Sequence, residues 1–150
     1  IALMLVAVLG GVLWHRRAAE QQVENVEATQ KAMRAIEAQA LYQGSLGQYE
    51  TTWMGYPLVI EADWFKNRPQ NLLADNSAWL DIAGKSKEFE PNPDHVTCEA
   101  GRAAFWYNPY RGIVRARVAP QMSAKATIDL YNLVNGTSLR IDDSMWAAAE

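Results

Sequence analysis

Between Gly11 and Gly44 the chain has neither proline nor glycine, and its apolar residues recur at helical steps throughout. Together with the apolar residues before Gly11, such a stretch folds as one rod of about 40 residues, roughly 60 Å long. Few architectures accommodate a rod longer than the domain that comes after it. The first question is therefore what covers each part of its surface.

The rod has two halves of different character. The first fourteen residues, Ile1 to Trp14, carry no charge, and His15, Arg16 and Arg17 end the run. At 1.5 Å per residue they span about 21 Å, short of the roughly 30 Å hydrocarbon core of a bilayer. No initiator methionine or basic leader stands ahead of them, so the run is expected to belong to a longer apolar segment. A secretory signal peptide would need a small-residue cleavage site before a separate domain, whereas here the helical pattern runs on. From Ala18 to about Gln43, Val23, Val26, Met33, Ile36 and Leu41, with Ala19, Ala32 and Ala40 between them, form a stripe. Glu20, Glu24, Glu27, Lys31, Arg34 and Glu37 fill the other faces. The stripe is alanine-rich, which favours close packing on something flat such as a sheet. Gly44, Ser45 and Gly47 stop the helix.

After the rod the signals are those of a small α+β domain. Tyr56 to Phe65 contains a strand-like apolar run that Pro57 and the subsequent Lys-Asn-Arg-Pro assign to an edge or a loop-rich stretch. Residues 69–93 read as loop, with a short helical or extended piece at Ser77 to Ile82. The clearest local pattern is Ala103 to Tyr107, then Asn108-Pro-Tyr-Arg-Gly112, then Ile113 to Val118: two β-prone runs flanking a turn, hence a hairpin. Alternation puts Val114, Ala116 and Val118 on one face and Ile113, Arg115 and Arg117 on the other. The first face is expected to meet Val26, Met33 and Ile36 of the rod, with both arginines toward solvent or a neighbouring subunit. Ala126 to Val134 is a further apolar-periodic piece closed by Asn135-Gly136, and a last segment ends in Trp146 and three alanines. The divisions read as 1–17, an apolar helix; 18–44, its amphipathic continuation; and 45–150, the head.

Composition removes several functions. With 14 Lys and Arg against 17 Asp and Glu, the net charge is -3, and no basic field is available to hold duplex DNA; no nucleic-acid partner is expected. Cys98, His15 and His95 cannot supply a four-ligand zinc site, and Cys98 has no intrachain disulfide partner. His95 and Cys98 lie three residues apart, but a thiol nucleophile also needs an orienting group and a cationic setting, and no catalytic motif accompanies them. Asn135-Gly-Thr137 fits a glycosylation acceptor and reads better as a turn. Trp64-Phe65 and Phe105-Trp106-Tyr107 could form a stacking platform for sugars or single strands, yet a small head clamped on a helix needs such rings for its core. Arg111, Arg115 and Arg117 beside Tyr110 form a basic and aromatic cluster suited to surface adhesion. The expectation is a non-enzyme with no cofactor and no metal.

A long helix, apolar then amphipathic, with a small antiparallel sheet laid on its second half, resembles a type IV pilin or type II secretion pseudopilin. Ile1-Ala-Leu-Met-Leu-Val-Ala-Val-Leu9 is similar to the apolar stretch behind the Phe-Thr-Leu-Ile-Glu opening of those proteins. That opening and its glutamate match no residue here. The Asp129, Asp142, Asp143 and Glu150 scatter lacks the alternation of a calcium loop, and a lone Cys98 cannot close a C-terminal disulfide loop.

The resemblance implies a structural subunit of an extracellular or periplasmic helical filament, resident in the inner membrane before assembly and handled by secretion or pilus machinery. Assembly would run through Ile1, Leu3, Met4, Leu5, Val6, Val8, Leu9, Gly10, Gly11, Val12, Leu13 and Trp14. Helix-to-sheet packing would run through Val26, Met33, Ile36, Val114 and Val118. Filaments of this kind often lose helix in a short stretch of the apolar half, and the Gly10-Gly11 pair marks where: a break between Val8 and Trp14 is expected in the assembled state. The alternative is a single-pass anchored periplasmic protein that recruits a partner through its coiled-coil helix.

Overall fold

The computed structural model describes residues 2–75 and 77–141, residues 2–9 by their backbone alone. Ile1, the segment ending in Trp146, and the acids Asp142, Asp143 and Glu150 lie outside the described residues. One helix, α1 (Ala2–Ser45), carries a head built from three short strands, β1 (Leu80–Ile82), β2 (Phe105–Asn108) and β3 (Ile113–Ala116), and a second helix, α2 (Ala124–Asn135). Single 3-10 turns lie at Ala62–Trp64 and Lys85–Lys87. The fold is α+β.

α1 ends where its backbone meets the next loop. A Cβ on Gly44 would run into the carbonyl of Gly55, so a side chain at this last turn is excluded. The loop is tied across itself, Thr52 N–H donating to the Tyr56 carbonyl at 2.8 Å, and an isolated bridge joins Thr51 to Pro57. The strand-like run from Tyr56 to Phe65 is thus not a strand: Pro57 stops the pairing, and the chain turns through the 3-10 helix.

β2 and β3 form the expected hairpin, with Phe105 opposite Ala116, Trp106 opposite Arg115, Tyr107 opposite Val114 and Asn108 opposite Ile113. The all-antiparallel expectation is corrected. β1 joins the other side of β2 in parallel, Leu80 opposite Phe105 through Ile82 opposite Tyr107, so the sheet is mixed with order β1-β2-β3. Parallel neighbours need a long crossover, and residues 83–104 supply it.

The helix-facing register agrees with the sequence reading. Val26, Met33 and Ile36 of α1 and Val114, Ala116 and Val118 of the hairpin arm all belong to one buried cluster, completed by Phe105, Tyr107, Leu130, Tyr131 and Val134. The buried α1 positions include Val26, Thr29, Met33, Ile36 and Ala40, at alternating steps of three and four; Val23 and Leu41 are exposed. The other face of the hairpin is where the reading fails. Arg117 is not solvent-facing but 6% exposed: its Nη1 meets Asp81 Oδ2 at 2.6 Å and the Ala103 carbonyl at 2.9 Å, and its Nε meets the His95 carbonyl at 3.1 Å. Arg115 Nε donates to the Pro91 carbonyl and Asn92 Oδ1. The crossover covers the face that alternation assigned to water.

Short strands leave much of the backbone outside any ladder, and buried asparagines bond to it at the strand ends, at the sheet edge and in the crossover. Asn71 Nδ2 donates to the carbonyls of Ala104 and Arg117, and Asn108 Nδ2 donates to those of Lys87 and Glu90. Asn135, the last residue of α2, stands in for a fourth strand: its Oδ1 accepts from Ala116 N–H at 2.8 Å and its Nδ2 donates to the Ala116 carbonyl at 2.9 Å. The glycosylation pattern at Asn135-Gly-Thr137 is therefore a helix stop, with Gly136 left-handed at φ 63 and the side chain of Asn135 buried. At the other end of α2, Ser123 Oγ accepts from Ala126 N–H.

Two substitutions test this account. Asn135→Leu leaves both polar groups of Ala116 unpaired under a buried apolar side chain and is expected to cost about 2–4 kcal/mol in urea unfolding. Gly112 has φ +64, and a Cβ there would strike the Tyr56 ring. Gly112→Ala is expected to cost about 2–4 kcal/mol, and adding Tyr56→Ala to make room should relieve the clash while leaving the left-handed backbone strain in place.

Candidate assembly surface and distal aromatic cleft

From Gly10 to Glu24 every residue of α1 is exposed, and cover begins only at Asn25 and Val26. Val12, Leu13 and Trp14 are among the exposed apolar residues, Trp14 at 69%. The Trp14 ring meets its neighbour His15, edge to face at 5.5 Å. Of the expected assembly residues, Leu3, Met4, Leu5, Val6, Val8 and Leu9 lie in α1, and Gly10, Gly11, Val12, Leu13 and Trp14 continue it. α1 passes unbroken through Gly10 and Gly11, so the single chain has no helix break there. A Cβ at either glycine would meet nothing within 4 Å. Among the described residues, no helix is long and apolar enough to cross a membrane.

Val26, Met33, Ile36, Val114 and Val118 lie in one buried cluster, and polar side chains add hydrogen bonds between the helix and the head. Glu37 Oε1 accepts from Val114 N–H at 3.2 Å, Thr29 Oγ1 accepts from Leu72 N–H at 3.1 Å, and Gln30 Nε2 donates to the Leu133 and Val134 carbonyls. A glutamate in a charged helix reads as solvated, and periodicity carries no sign of this role.

At the opposite end of α1 the head exposes a second apolar surface. Trp53 and Phe89 are 85% and 78% exposed, and with Met54, Glu88, Tyr110, Arg111 and Ile113 they line an open cleft of about 290 Å³. The rings that the sequence offers for a stacking platform lie elsewhere. Phe105, Trp106 and Tyr107 are buried in β2, and burial pushes the Tyr107 phenol far above its ordinary range. Trp64 is held by Tyr49, ring centroids 4.9 Å apart, with its Nε1 donating to the Tyr49 hydroxyl at 2.9 Å. Of the arginine cluster, only Arg111 stays beside Tyr110; Arg115 and Arg117 serve the crossover. Nothing in the sequence separates Trp53 and Phe89 from the core aromatics except their polar, turn-rich surroundings.

Cys98 is buried and unpaired, and among the described residues no hydrogen bond joins it to His95. Desolvation, with Arg102 and Arg117 nearby, lowers the His95 pKa against the opposing pull of Asp94. Asp129, one of the scattered acids, pairs with Lys125, and among the described residues no three potential ligands gather as a metal site. No family model matches the chain, and neither a curated protein nor a solved structure matches it.

The open space around Gly10 and Gly11 yields a direct test of the monomer. Replacing both by alanine removes about 2 kcal/mol of helix cost and creates no clash. Amide hydrogen exchange between residues 8 and 14 is expected to slow in the double variant, with exchange in the head unchanged.

Proposed function

We propose that this chain is a pilin-like or pseudopilin-like structural subunit that polymerises into a helical filament through the first half of α1. The observation that carries the reading is the uncovered stretch from Gly10 to Glu24, which begins with Val12, Leu13 and Trp14 in the open and leads from a wholly apolar sequence into a packed head. Contiguous exposed apolar side chains such as Val12, Leu13 and Trp14 are the kind of surface that interaction sites present. Each 100 Å² of it removed from water is worth about 2.5 kcal/mol, and in a polymer the same contact repeats at every subunit.

Lipid would hold the segment before assembly, and copies of the same segment would hold it afterwards, contacts between subunits replacing contacts with lipid. The inner membrane is the proposed site of the unassembled chain, and a periplasmic or extracellular filament its destination, reached with secretion or pilus machinery. In the filament a stretch between Val8 and Trp14 opens, its backbone groups satisfied by neighbouring subunits. The head, joined to α1 only from Asn25 onward, stays on the filament surface.

Deleting residues 1–14 is expected to leave a soluble monomeric head on its charged helix, and Val6→Arg or Leu13→Arg to block polymerisation, since a charge among packed apolar helices costs several kcal/mol. Sedimentation and negative-stain microscopy read the outcome, and filaments persisting in the deleted chain would refute the proposal.

A further inference from the structure

The cleft at the far end of α1 is firmly built, yet two of its rings are left bare. Three separate segments form its walls: Trp53 and Met54 after the helix, Glu88 and Phe89 in the crossover, and Tyr110 and Arg111 in the hairpin turn. Two buried side chains lock these walls together. Asn108, fully buried, donates to the Lys87 and Glu90 carbonyls on either side of Glu88 and Phe89, while its Oδ1 accepts from Tyr110 N–H at 3.0 Å. Thr52, next to Trp53, donates its hydroxyl to the Pro109 carbonyl at 3.0 Å. Arg111 Nη1 donates to the Phe89 carbonyl at 3.2 Å, which fixes the guanidinium at the rim. Despite this scaffold, among the described residues Trp53, Phe89 and Tyr110 make no ring contact, and the Glu88 carboxylate accepts no hydrogen bond.

We propose that this cleft binds a neutral pyranose sugar, presented as part of a glycan. The flat apolar face of an aromatic ring matches the C–H face of a pyranose, and a carboxylate and a guanidinium on the same rim accept from and donate to its hydroxyls. The charges argue for a neutral guest. Glu88 repels a phosphate or a sulfate, Arg111 repels a cationic peptide, and the two together match a ring of hydroxyls that are both donors and acceptors. The cleft is open, so it takes a unit within a chain rather than enclosing a free monosaccharide. Because the backbone of its walls is held before any ligand arrives, the ordering cost of binding falls on the exposed side chains alone.

The site is independent of polymerisation, so a chain that never assembles would still bind. The test uses the full chain in a detergent without a sugar headgroup, with maltotriose, cellotriose and triacetylchitotriose as probes at about 10 mM, near the affinity expected of an open site. Saturation-transfer NMR is expected to show at least one trisaccharide bound through its ring C–H protons. Trp53→Ala and Phe89→Ala should each weaken it about tenfold, Glu88→Gln several-fold, and Trp53→Phe no more than about threefold. Trp14→Ala, at the other end of the molecule, should change nothing, and circular dichroism should be unaltered in every variant. Silence from all three sugars, or binding undiminished in Trp53→Ala, overturns the proposal. So does a result in which Trp53→Ala and Phe89→Ala abolish contact between copies of the chain while no sugar binds, which would assign the cleft to self-association.

Discussion

The outer backbone edge of β3 is the constraint around which the rest of the molecule is arranged. A four-residue strand with an open edge would be a weak and adhesive element, since its unpaired N–H and C=O groups invite pairing with another chain. Here two helices close that edge with side chains: Glu37 of α1 takes Val114 N–H, and Asn135 of α2 takes both polar groups of Ala116. The same contacts fix both helices in rotation and height against the sheet. The apolar stripe from Val26 to Ala40 then buries without ambiguity, and α1 becomes an integral part of the core from Asn25 onward.

A second layer arises from the parallel pairing of β1. Because β1 and β2 run the same way, residues 83–104 must cross over the sheet, and they do so on the side away from α1. The hairpin arginines anchor that cover, Arg117 through Asp81 and the Ala103 and His95 carbonyls, Arg115 through Pro91 and Asn92. β2 is thereby buried on both faces, which accounts for Phe105, Trp106 and Tyr107 all being inside. The crossover also carries Phe89 to the far end of the head, where Asn108 ties it beside the hairpin turn.

Legibility in the sequence tracks period. α1 and the hairpin announce themselves by steps of three to four and of two, and spacing alone places Val26, Met33, Ile36, Val114 and Val118 on facing surfaces. Alternation also separates Arg117 from Val118, but a period of two cannot reveal whether a second layer covers a face. β1 is a three-residue strand in a stretch punctuated by Pro, Asn and Asp, and its direction is set by a crossover that no local pattern encodes. Asn71, Asn108 and Asn135 look like turn residues because their role is to satisfy backbone groups of other segments. Trp53 and Phe89 cannot be distinguished from core rings by type, since burial is decided by what the remainder of the chain brings to each of them.

The unbroken passage of α1 from Ala2 into the head makes that helix a register as well as a rod. Each residue of a helix turns its successor by about 100°, so the azimuth of the cleft around the axis is set by how many residues separate it from the apolar segment. One residue inserted among positions 18–24, where the head does not touch the helix, would leave every contact of the head intact and swing its distal face a little over a quarter of a turn. Seven inserted residues would restore the azimuth to within about 20° and displace the head by about 10 Å along the axis. Sequence length in this bare stretch is therefore a geometric variable in its own right: it determines which way the head looks, independently of what any residue there contacts.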